Sequence, residues 1–116
     1  METTPATWQT RFGLTLCPAL QITDAIPATA QGVAVIYGAE GGAEKTFLVL
    51  ESRTGSLRQL CEKRLQTAKL PPPVELNVAF KAETPGDLSP QAVHAACRAQ
   101  VILAQQLRRE LRPAMR

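Results

Sequence analysis

The spacing of apolar and polar residues changes along the chain, and each change marks an element. Gly32 to Tyr37 (GVAVIY) is apolar on both faces and rich in β-branched residues, the pattern of a strand covered on each side. Phe47 to Leu50 repeats that pattern. The stretch Gly38 to Lys45, with its Gly41-Gly42 pair, joins the two as a β-hairpin with a longish loop. Helical spacing follows, in Leu57, Leu60, Cys61, Leu65 and Ala68. Ser56 and Gln59 fit a capping box, which ties down the first free N–H groups, so a helix is predicted from Ser56 to about Thr67. Pro71-Pro72-Pro73 ends it and imposes an extended link.

Val74 to Lys81 alternates: Val74, Leu76, Val78 and Phe80 face one way, while Glu75, Asn77 and Lys81 face the other. This predicts a strand with one wet face, at a sheet edge. Thr84 to Leu88 reads as a Pro-Gly turn. Ser89 is an N-cap with Pro90 at the first helical position, and the helix it starts runs to about Leu111, before Pro113. Its expected buried stripe is Ala92, Ala96, Ala99, Leu103 and Leu107, widened by Val93, Cys97 and Leu111. The opposite face carries His94, Arg98, Gln105, Arg109 and Arg112.

Upstream of the hairpin, residues 1 to about 11 are polar and read as frayed. Phe12 to Ile22 alternates like a strand, but Pro18 would suit only an edge. Residues 1–29 therefore form an arm with a candidate edge strand, 30–113 one domain and 114–116 a tail. The order hairpin, helix, strand, helix predicts an α/β domain of the α+β type. Its sheet is expected to be small, mixed and three-stranded, with helices packed on it.

Composition narrows the function classes. At 116 residues, 45% apolar and 20% charged, the chain can bury a core as one domain. Its few aromatics, Trp8, Phe12, Tyr37, Phe47 and Phe80, argue against a stacking platform for single-stranded nucleic acid. A net charge of +3 permits an acidic or nucleic-acid partner without requiring one. Cys17, Cys61 and Cys97 lack metal-ligand spacing, and an odd count of isolated thiols fits a reducing, cytoplasmic compartment. No apolar run approaches ~20 residues, so no membrane partner is expected. No metal and no cofactor is implied.

Gly32-Val33-Ala34, then Leu50-Glu51-Ser52 followed by Arg53-Thr54-Gly55-Ser56-Leu57-Arg58, and finally Ala104 to Leu107 with Arg112-Pro113, follow one another in a familiar order and spacing. That arrangement resembles the GIY-YIG nuclease domain over roughly residues 30 to 113. In the family, two tyrosines position the attacking water, a helix arginine stabilises the phosphate and a glutamate holds a divalent metal. The resemblance places Ala34 and Leu50 at the tyrosines, Leu60 at the arginine and Ala104 at the glutamate. Ser52 replaces the second glycine. Without a carboxylate ligand the metal-activated water is lost. The resemblance thus implies an emptied nuclease site and a binding module for nucleic acid or protein, with no catalytic residue.

Two alternatives are an active metal-dependent nuclease using Arg64, Glu51 and Gln100, and an unrelated regulatory or protein-interaction subunit. A neutral amide such as Gln100 is a poor ligand for a hard cation. Glu51 lacks a second carboxylate for acid–base work, with Glu83 and Asp87 the other acids near strand ends. The lone His94 falls on the polar helix face. The basic residues Arg53, Arg58, Lys63, Arg64, Arg98, Arg109 and Arg112 are the expected nucleic-acid contacts, read as a phosphate surface across both helices. DNA, RNA, a protein partner or a second copy remain open as partners. The Leu and Ala replacements make a former cleft more apolar, which favours protein contact.

Overall fold

A computed structural model describes residues 8–40, 43–52, 56–67, 70, 76–83 and 89–113. The elements are α1 (Trp8–Arg11), β1 (Thr15–Pro18), a 3-10 turn (Ala19–Gln21), α2 (Ile22–Ala25), β2 (Gln31–Glu40), β3 (Ala43–Ser52), α3 (Leu57–Thr67), β4 (Leu76–Glu83) and α4 (Pro90–Leu111). They form an α+β fold around a four-stranded sheet in the order β1-β4-β2-β3. Every pairing is antiparallel.

The sheet corrects the expectation of three mixed strands. Residues Thr15–Pro18 form a real strand, at the edge that Pro18 allows, paired to β4. Strand β4 is therefore interior, between β1 and β2. Its sequence looked like an edge because Asn77 and Lys81 are exposed, but Ala79 between them is fully buried. Pairing in the hairpin continues to Glu40 opposite Ala43, so most of the expected loop is strand. Ala68, the Pro71–Pro73 link, Glu75, the Thr84–Leu88 turn and the tail lie outside the described residues.

Strand periodicity sorts the apolar residues into two cores, one on each sheet face. Ala34, Ile36, Leu48, Leu50, Val78 and Phe80 pack on Ile22, Ile26, Leu57 and Cys61 from α2, α3 and the residue that follows α2. Val33, Val35, Tyr37, Val49 and Ala79 pack on Ala104 and Leu107 of α4, with Trp8, Phe12 and Leu14 at the margin. The β2–β3 register shifts between Ile36 and Tyr37 and passes over Phe47. That bulge puts neighbours Phe47 and Leu48 in the same core. Burying a side chain such as Leu57 or Leu107 contributes about 1.5–3 kcal/mol.

Both long helices start where their caps lie. The Gln59 N–H donates to Ser56 Oγ at 3.3 Å, and the Ala92 N–H donates to Ser89 Oγ at 3.3 Å. Helix α4 ends at Arg112, whose left-handed φ of 47° stops propagation. The segment read as frayed is partly ordered. Trp8–Arg11 forms one helical turn. Trp8 meets Tyr37 edge-on at 5.2 Å, and Trp8 Nε1 donates to Glu44 at 2.7 Å.

Gly32 sits at the start of β2 with φ of 152°, and a Cβ there would collide with the Lys81 carbonyl oxygen of β4. The glycine that carries the first-motif resemblance thus has a local reason to be glycine.

Candidate binding surface

The four positions assigned by resemblance do not converge. Ala34, Leu50 and Leu60 belong to the core beneath α3. Ala104 belongs to the core beneath α4, across the sheet. Ala34 and Ala104 are fully buried, so neither can reach a ligand as placed.

The predicted basic surface divides in the same way. Arg58, Lys63 and Arg64 ride on α3 over one face, while Arg98, Arg109 and the cap residue Arg112 ride on α4 over the other. They do not form one phosphate surface across both helices. Arg58 is committed locally: it donates to the Thr23 carbonyl at 3.1 Å and lies 3.9 Å from Glu62. Glu62 in turn accepts from the Thr23 hydroxyl at 2.9 Å. Arg53 lies outside the described residues.

The alternative catalytic set also separates. Glu51 and Gln100 lie on the α4 side, and Arg64 lies on α3. Glu51 stands 3.6 Å from Arg108, which also donates to the Val49 carbonyl at 3.3 Å. Among the described residues no group of three His, Cys, Asp or Glu side chains could hold a metal ion.

Helix α4 offers a single continuous surface. Its buried residues are Gln100, Ala104 and Leu107, so the sheet-facing stripe is rotated from the expected one and Ala99 is exposed. Polar Gln100 hid this direction from a reading based on apolar spacing alone. Val93 stands about three turns before Ala104 on the same side of the helix, yet it is 37% exposed. The first turn of α4 is therefore only partly covered by the sheet. Ile102 is 51% exposed and, with His94, Cys97, Arg98 and Val101, lines a shallow groove of about 310 Å³.

The charge of this face has one sign. The one acid in α4 is Glu110, which pairs with Arg11 of α1. Exposed Arg98, Arg109 and Arg112 form no ion pair among the described residues, and His94 is exposed beside them. Reading the sequence placed these residues on the polar face but assigned Cys97, which lines the groove, to the core.

The remaining perturbed groups are structural. Burial pushes the Cys61 thiol up to about 12, with Cys17 and Glu62 adding to the effect. Burial likewise raises Cys17. It also raises the Tyr37 phenol, which hydrogen bonding to Gln9 only partly offsets. Cys17, Cys61 and Cys97 are free thiols. Among the described residues no helix is long and apolar enough to cross a membrane. Compared with known proteins, the chain matches no family model, no curated protein and no solved structure.

Proposed function

We propose that this chain is a catalytically inactive binding module that docks an acidic, amphipathic segment of a protein partner along the outer face of α4. The observation that carries the reading is the apolar groove on the outer face of that helix. It presents Val101 and Ile102 beside Arg98, with no acid until Glu110. Apolar anchors flanked by cations suit an apolar helix face with carboxylates on its margins. In terms of the GIY-YIG resemblance this is an emptied copy that binds without cutting. The separation of Glu51 and Gln100 from Arg64 favours binding over a rearranged nuclease.

The test is fluorescence anisotropy on the full chain. The probes are a labelled Glu/Leu amphipathic model helix and short DNA and RNA duplexes, at two salt concentrations, with a magnesium cleavage control. The expected result is peptide binding near micromolar Kd, weakened about tenfold or more by Ile102→Glu. Steeply salt-dependent binding of the duplexes without peptide binding would shift the reading to nucleic acid. Cleavage would overturn it.

A further inference from the structure

A separate cavity of about 100 Å³ lies under the other flank of α4, where the helix crosses β2 and β4. Val33, Ala96, Ala99 and Leu103 make its wall apolar, and Lys81 and Gln100 are its polar members. Two small residues keep it open: Ala96 and Ala99 are short, and Gly32 adds only backbone to the wall. Gln100 is only 8% exposed, and its Oε1 is buried without a hydrogen-bond partner. A buried amide oxygen in that state has lost its water and gained no donor. The terminal torsion of glutamine is soft, so rotation of the amide can present that oxygen to the cavity that the side chain lines. Lys81 is exposed and forms no ion pair among the described residues.

We infer that this cavity binds a short aliphatic 2-hydroxy acid. The alkyl group rests on Val33, Ala96, Ala99 and Leu103, the hydroxyl donates to Gln100 Oε1, and the carboxylate meets the Lys81 ammonium at the mouth. Each part of the ligand answers one part of the wall. A dry cavity of roughly 150 Å³ accepts benzene, so this smaller one takes an alkyl group of about three or four carbons. The lone amide oxygen calls for a neutral donor, because an ammonium buried against one amide stays badly solvated. A single cation with no acid on the wall selects an anion.

The test uses the ¹⁵N-labelled full chain, titrated with 2-hydroxy-3-methylbutanoate, with 3-methylbutanoate and with the neutral 2-hydroxy-3-methylbutanamide. The expected result is saturable shifts of the Gly32, Val33 and Gln100 amides at about millimolar Kd for the hydroxy acid. Binding should weaken about fivefold or more for each analogue, and by a similar factor in Lys81→Met. Ala96→Leu, checked for a native spectrum, should abolish it by filling the space. Lys81→Met changes an exposed residue, so it keeps the test decisive if the filled variant does not fold. The inference is overturned by the absence of saturable shifts, or by affinities equal across the three probes and unchanged in Lys81→Met.

Discussion

At the scale of single residues, Cys61 is the most displaced titrating group among the described residues. Its thiol is fully buried under α3 and is pushed up to about 12 from an ordinary 9.0. The native state keeps a proton that the unfolded chain releases near pH 9.0, so the unfolded state binds fewer protons above that pH. Stability from this group is therefore complete below 9.0 and is lost as pH rises towards about 12. Cys17 and Tyr37 are raised as well and act in the same direction. Urea midpoints measured between about pH 8 and about pH 10.5 should fall, and the slope should flatten in Cys61→Ala. An unchanged slope in that variant would mean that Cys61 is not the source. The sequence pattern placed Cys61 on a buried stripe. It gave no sign of Trp8 closing over Tyr37 and Glu44, because an isolated tryptophan in a polar segment has no periodicity to report its partner.

At the scale of elements, β3 is a ten-residue strand on the outer edge of the sheet. Long apolar edges invite pairing with other chains. Two devices oppose that here. The Phe47 bulge breaks the regular edge, and Arg108 reaches over from α4 to the Val49 carbonyl and Glu51. Arg108 is largely exposed, so Arg108→Ala should cost less than about 1 kcal/mol in urea unfolding. The same variant should self-associate more at high concentration in sedimentation velocity, and monomeric behaviour equal to the parent would exclude a guarding role. The caps were legible because a capping serine is a local signal, and Ser56 and Ser89 each accept the expected N–H. The rotation of α4 was not, since small Ala104 and polar Gln100 face the sheet while Ile102 faces out.

For the whole molecule, the sheet is the shared wall of two cores, and each core depends on one long helix. Leu57→Ala and Leu107→Ala remove fully buried leucines from opposite faces, and each should cost about 2–5 kcal/mol. Because β2 and β4 contribute to both cores, each variant should unfold in a single transition with the parental m-value. A biphasic curve for Leu107→Ala would show that α4 and its core melt apart from the rest. The α+β class and most element positions were readable from spacing. The strand order was not, because it depends on which strand edges meet across long stretches of chain, and composition does not encode that.

That strand order has a consequence for how the fold is reached. Hairpin β2–β3 is local and can close early, but β4 must insert between β2 and a β1 strand that lies about sixty residues earlier in the chain. Until it arrives, the inner edge of β2 is open. The slow event in folding is then the docking of this late strand, and the interval before it is when the chain is most exposed to aggregation.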